Sequence, residues 1–224
     1  KRRLLGYTDN AIFKRSGGAR PGTEMPARLS TEKGLIASCR RKAGLFLNFK
    51  ALLMDEEMLT RAVTRISHQI LEKNKGAENL VLLGIRRRGV PLAAMIRDNI
   101  QRFEGVTVPC GELDIRLYRD DLTPESVDPV TRKIDLPFPV TGKKVVIVDD
   151  VLYTGRTIRA AIDAVFSVGR PAAIQFAVLI DRGHRELPVS ANFVGKNIPT
   201  SRKELVAVCL PEYDGRQCVE LYDL

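Results

Sequence analysis

No run of about 18 apolar residues occurs anywhere in the 224-residue chain, so nothing in it reads as a membrane-spanning helix. The opening Lys1-Arg2-Arg3-Leu4-Leu5-Gly6 leads into no apolar stretch of the kind a secretory signal needs. Cysteine is scarce and scattered, at Cys39, Cys110, Cys209 and Cys218, with no Cys-x-x-Cys pair. With His68 and His184 as the only histidines, no zinc site assembles at familiar spacing, and the reducing cytoplasm is the expected compartment. Two widespread phosphate motifs are also missing. There is no G-x-x-x-x-G-K-[ST], which removes support for a P-loop NTPase, and no G-x-G-x-x-G after a strand, which removes support for a dinucleotide fold.

Charge is abundant but unevenly placed. Residues 1–48 hold eleven basic and three acidic residues, a net of +8 out of the chain's +9. The remaining 25 basic and 24 acidic residues nearly cancel, so the basic balance says little about the folded part. Residues 1–48 are rich in Gly, Arg and Ser and show no period of 3.6 or 2, the pattern expected of a disordered or peripheral extension. A functional basic arm, an organelle address and upstream translation ahead of the true start all fit it. Residues 49–224 form the expected folded domain.

Within that domain Leu59, Val63, Ile66 and Ile70 form one apolar stripe, which predicts a helix over 52–74 with Asp55, Glu56 and Glu57 at its positive end and Gly76 as its stop. The unbroken apolar run Leu80–Ile85 predicts a strand buried on both faces, and Pro91–Phe103 a second helix. Val106–Leu117 reads as a long strand or strand pair. Residues 118–141, with four prolines, break every pattern and read as a functional or mobile loop. Val145–Val148 and Ile174–Ile180 are further strands, separated by a helix over 157–168. Leu205–Leu210 and Gln217–Tyr222 read as a closing pair around Asp214-Gly215. Strands alternating with helices indicate the α/β class with a mostly parallel central sheet.

The chemistry concentrates in Val145–Thr157. A hydrophobic strand delivers Asp149 and Asp150 at its C-terminal end, where parallel sheets bind ligands. Val151, Leu152, Tyr153, Thr154, Gly155, Arg156 and Thr157 follow and enter a helix, offering backbone N–H groups, hydroxyls and a positive dipole end to a phosphate. The carboxylates can accept ribose hydroxyls or hold Mg²⁺ through water. The bland alternative is a capped helix and an ordinary turn.

This stretch resembles the phosphoribosyl-pyrophosphate (PRPP) motif of type I phosphoribosyltransferases. Together with Asp114–Leu122, Asp181–Pro188 and Val194–Ser201, it resembles the pyrimidine-operon regulator family, PyrR, over roughly 49–222. The resemblance implies the type I phosphoribosyltransferase fold, with a small hood and a flexible loop. It implies uracil phosphoribosyltransferase activity, uracil plus PRPP giving UMP plus pyrophosphate, with Mg²⁺ brought by PRPP near Asp149 and Asp150. Arg86, Arg87, Arg88 and Gly89 would bind pyrophosphate; three guanidiniums at a strand end suit a polyanion, although a solvated turn is the plain alternative. Tyr118 and Arg119 would act from the loop of residues 116–139. Val178, Asp181 and Arg182 would meet the base. Enzymes acting on 6-oxopurines typically carry Asp just before the Thr-Gly; Tyr153 stands there instead, which favours a pyrimidine.

The same resemblance implies a second task, UMP-dependent binding of the pyrimidine-operon leader RNA, which attenuates transcription. Thr64, Arg65 and His68 are the matching residues on the first helix, with Arg61 one turn back. Ser190 and Asn192 stand where the family usually has Arg and Asp, which weakens phosphate contact. Enzyme activity therefore ranks above RNA regulation. An RNA-binding regulator with vestigial catalysis, and transfer to another base, remain the alternatives. A homo-oligomer, dimer or higher, and no membrane partner complete the expectation.

Overall fold

A computed structural model describes residues 47–118 and 136–224. Five parallel strands form the central sheet in the order β3-β2-β4-β5-β6: β2 (Leu80–Ile85), β3 (Cys110–Leu113), β4 (Lys144–Leu152), β5 (Ala173–Asp181) and β6 (Phe193–Asn197). The alternation of side chains along each strand explains the unbroken apolar runs. Leu80, Leu82, Val146, Val148, Ala177 and Leu179 pack on one face with α1 (Glu56–Asn74) and α2 (Gly89–Glu104). Val81, Leu83, Val145, Ile147 and Val178 pack on the other with α3 (Arg156–Val168). Each such fully buried aliphatic side chain contributes about 1.5–3 kcal/mol.

A second, three-stranded antiparallel sheet joins the two ends of the described chain: β1 (Asn48–Met54), β8 (Cys218–Asp223) and β7 (Glu204–Cys209), with the short helix α4 (Pro211–Asp214) between β7 and β8. Val206, Val208, Val219 and Leu221 extend the first core cluster into this small sheet. Arg182 and Lys196 pin it to the rest, and Lys50 ties its own three strands together. Arg182 donates to the Ser201 and Glu204 carbonyls at 2.9 and 2.7 Å, Lys196 Nζ to the Leu53 carbonyl at 3.0 Å, and Lys50 pairs with Glu204 and Asp223.

Three expectations need correction. The first helix starts at Glu56, not Leu52, because Asp55 caps it by accepting the Met58 amide at 2.7 Å, and residues 52–54 pair with β8 instead. Its end is Lys75, which takes the left-handed cap just before Gly76. The strand expected over 106–117 spans only Cys110–Leu113. β6 is an additional strand; Gly195 lies within it, and it pairs in parallel with the preceding strand β5, Ala177 opposite Phe193. Residues 119–135, the bulk of the expected loop, and Arg119 with them, lie outside the described residues, as do 1–46.

Candidate active site

Asp149 and Asp150 lie near the C-terminal end of β4, followed within it by Val151 and Leu152. Asp149 is buried, 8% exposed, and its Oδ1 accepts the Asp150 amide at 2.9 Å; Asp150 is half-buried and its Oδ1 accepts the Val151 amide at 2.9 Å. The carboxylates are thus oriented by their own backbone at the mouth of a pocket of about 300 Å³. Asp149, Val151, Leu152, Tyr153, Thr154, Gly155, Arg156 and Thr157 line it, together with Ile158, Phe176 and Glu186. The sequence motif is brought together almost whole, with Asp150 beside the lining.

The 152–157 loop is held from one side. The carbonyl of Leu152 accepts the Arg182 amide at 3.1 Å, that of Tyr153 accepts Arg185 Nη1 at 2.8 Å, and that of Thr154 accepts the Glu186 and Leu187 amides at 2.9 and 3.2 Å. In a planar trans peptide the N–H points opposite to the preceding carbonyl. The amides of Tyr153, Thr154 and Gly155 therefore face away from the 182–187 segment, beside the N-terminus of α3. Gly155 makes this turn feasible. Its φ is +95°, and a Cβ there would lie 2.5 Å from Val189 Cγ2. Arg156 pairs across the rim with Glu186 at 2.9 Å.

The segment expected to read the base is largely structural. Val178 is fully buried opposite Asp149 in the β4–β5 register, within the apolar cluster under α3, so no ligand reaches it. Arg182 is 5% exposed and donates to Thr200 Oγ1 at 2.9 Å as well as to the two carbonyls of the small sheet. Burial holds its guanidinium below the ordinary arginine value. Its outer face covers the Tyr153 ring, with Cζ 4.2 Å from the centroid, and His184 meets the same ring edge-on at 6.0 Å. Asp181 accepts the Gly183 amide at 3.0 Å and pairs with Arg185. Arg185 and Glu186 fall within the Asp181–Pro188 stretch that carries the resemblance. Their dense charge beside Gly183 was the available signal for their role as organisers of the loop.

The three arginines after β2 divide. Arg86 is exposed and pairs with Glu112 at 3.1 Å and Asp114 at 3.3 Å; Arg87 is exposed. Their shared peptide bond is cis. Arg88 turns away toward the small sheet, its Nε donating to the Val208 carbonyl at 2.6 Å and its Nη2 to both Asp214 oxygens at 3.0 Å. Gly89 lets α2 begin against β4, since a Cβ there would lie 2.3 Å from the Val148 carbonyl oxygen.

Tyr118 closes the short 3₁₀ turn Arg116–Tyr118 and donates to Ser167 Oγ at 2.8 Å. Ser167 lies eleven residues along α3 from Arg156, about 16 Å at helical rise, so this conformation holds Tyr118 at the far end of α3 from the pocket. On α1, Thr64, Arg65 and His68 share an open groove with Thr60, Arg61, Gln69 and Glu72. Arg65 donates to the Gly195 carbonyl, and His68 stacks on Phe103 with centroids 4.0 Å apart.

Residues 53–212 match the family described as the phosphoribosyl transferase domain. The chain is 59% identical over 175 residues to the "Bifunctional protein PyrR" of Acetivibrio thermocellus, covering 78% of this chain and 95% of that protein. It is 53% identical over 174 residues to the protein of the same name from Deinococcus radiodurans, again covering 78% and 95%. Among solved structures it is similar to a hypoxanthine-guanine phosphoribosyltransferase from Bacillus anthracis, with a TM-score of 0.60 at 23% identity over 80% of this chain and 99% of that one. It is also similar to the hypoxanthine phosphoribosyltransferase of Trypanosoma cruzi in complex with the product IMP, with a TM-score of 0.59 at 21% identity over 78% and 91%. At these identities the structural likeness establishes the fold alone. No helix among the described residues is long and apolar enough to cross a membrane.

Proposed function

This chain belongs to the phosphoribosyl transferase family and, within it, to the PyrR group of bifunctional proteins, and on that premise we propose that it makes UMP and pyrophosphate from uracil and PRPP. The observation that carries this reading is the acidic end of β4 joined to a loop whose Leu152, Tyr153 and Thr154 carbonyls are tied to one side. The amides of that loop and the Thr154 and Thr157 hydroxyls receive the 5′-phosphate. Asp149 and Asp150 accept the ribose hydroxyls and fix the anomeric carbon for attack by the uracil N1. The bond from that carbon to the pyrophosphate oxygen breaks as the new C–N bond forms, and N1 gives up its proton. Backbone groups at Arg86–Gly89 and the exposed Arg86 and Arg87 take the leaving pyrophosphate, while Arg88 sets the loop's position from behind.

Mg²⁺ fits this donor set. Two hard carboxylates at a pocket mouth suit an ion held through water and the donor's own oxygens rather than by a closed protein cage. When bound, it offsets the charge on the departing pyrophosphate. Tyr153 fills the position where a purine enzyme would place an acid, and the backbone around Asp181 and Gly183 reads the uracil edge. The catalytic unit spans residues 49–224, works in the cytoplasm and assembles with copies of itself. The test is stoichiometric appearance of UMP and pyrophosphate from uracil, PRPP and Mg²⁺; no product from a folded sample overturns the reading.

The α1 groove favours the second function, UMP-dependent binding of pyrimidine-operon leader RNA. Thr64, Arg65 and His68 lie together on it as one face. Protein lacking residues 1–46 is titrated with leader RNA and a scrambled control at near-physiological salt, with and without UMP. Tighter, UMP-dependent binding of the leader supports the reading; equal affinity for both RNAs leaves the enzyme alone.

A further inference from the structure

Cys209 and Cys218 sit directly opposite each other at the connected end of the β7–β8 ladder. Both are thiols, 0% and 8% exposed, and their sulfurs and a Glu220 carboxylate oxygen all lie within 4.8 Å of one another. A metal is not what this cluster is built for. Glu220 already receives Arg216 in a two-pronged pair at 2.6 and 2.7 Å and the Tyr222 hydroxyl at 2.6 Å, so its oxygens are engaged. A disulfide needs no such displacement. Residues opposite each other in an antiparallel pair have Cα atoms about 4.5–5.5 Å apart, inside the disulfide range of about 4.4–6.8 Å, so rotation of the side chains suffices.

The pair encloses residues 210–217, and this short segment grips the arginine loop. Tyr213 donates to the Arg87 carbonyl at 3.3 Å, and Asp214 holds Arg88 with both oxygens at 3.0 Å. The Val208 carbonyl, next to Cys209, accepts Arg88 Nε at 2.6 Å. We propose that Cys209 and Cys218 are a reversible dithiol–disulfide site whose oxidation staples the clamp on the 86–88 loop. With a hydroperoxide as oxidant, the more exposed Cys218 sulfur attacks the peroxide and becomes a sulfenic acid, releasing water or an alcohol. Cys209 sulfur then attacks the Cys218 sulfur, and the hydroxyl leaves as water. Two thiols lose two electrons and two protons, and the peroxide O–O bond takes them up. Arg216 shares this corner with the two sulfurs, paired with the Glu220 carboxylate that lies beside them. Cys110 lies apart in β3, where burial pushes its thiol up and Arg97 offsets only part of that. In a reducing compartment the dithiol is the resting form and the disulfide a transient signal.

The folded full chain is treated with stoichiometric hydrogen peroxide, digested and mapped by mass spectrometry. A Cys209–Cys218 cross-link is expected, reversed by dithiothreitol. The oxidised protein should melt roughly 5 °C higher, and amide exchange over residues 86–90 should slow at least about threefold, because a closed ring restrains the clamp. Cys218→Ser and, as a second variant, Cys209→Ser should abolish both changes, while Cys110→Ser should keep them. Oxidation confined to Cys39 or Cys110, a cross-link that forms only in denaturant, or unchanged exchange at 86–90 in the cross-linked protein would overturn the proposal. So would zinc retained by the wild type and lost from Cys218→Ser.

Discussion

The loops after β4 and β2 end neighbouring parallel strands, and both carry signs of a phosphate site, yet they are built in opposite ways. In 152–157 the backbone faces the pocket, and the Arg182 amide and the Arg185 guanidinium hold its carbonyls from behind. In 86–89 the charges belong to the loop itself, and the most enclosed of them, Arg88, is spent on Val208 and Asp214. A guanidinium near a polyanion site is thus as often the scaffold of the site as its ligand, and burial with saturated donors tells the two apart.

The largest effect should fall where both readings converge. Asp149→Asn together with Asp150→Asn should reduce UMP formation by at least about a hundredfold with the fold intact, since orientation and charge are both lost; steady-state kinetics with a thermal melt as control checks this. Next, Gly155→Ala should lower kcat/KM for PRPP at least about tenfold, because a Cβ is strained at φ +95° and meets Val189. A near-normal value would show that the amides of this loop do not hold the donor.

The arginines then separate the two designs. Arg88→Ala should cost about 1.5–3 kcal/mol in denaturant unfolding by leaving Asp214, 12% exposed, without the Nη2 that meets both its oxygens. Arg87→Ala should leave stability within about 0.5 kcal/mol and raise the KM for PRPP. The reverse pattern would break the comparison. The smallest effect is expected from deleting residues 1–46: thermal midpoint and UMP synthesis should both stay near wild type, as a charge of +8 without periodicity leads one to expect.

Much of this was legible because the signals are local. The alternation of Leu80–Leu83 and Val145–Val148 between two buried faces follows from strand period, and the acidic pair, Thr-Gly and final Thr mark the pocket. What escaped depends on distant partners. Residues 52–54 form a strand because β8 lies beside them, not through their own propensity. Val178 was placed at the base although its position in β5 buries it under α3. Tyr118 was placed in the site although its hydroxyl meets Ser167. Arg88 and Arg182 looked like ligand cations because a sequence shows charge and not what surrounds it.

The fold alone cannot choose the base, since the similar structures are hypoxanthine enzymes and the similar sequences are PyrR proteins. On the proposed reading the choice falls to Tyr153, whose ring lies under Arg182 and lines the pocket. One competition decides it: equal uracil and hypoxanthine, limiting PRPP, Mg²⁺ and the full chain, with the nucleotides separated and counted. The account predicts that UMP dominates the product; IMP in equal or greater amount would contradict it.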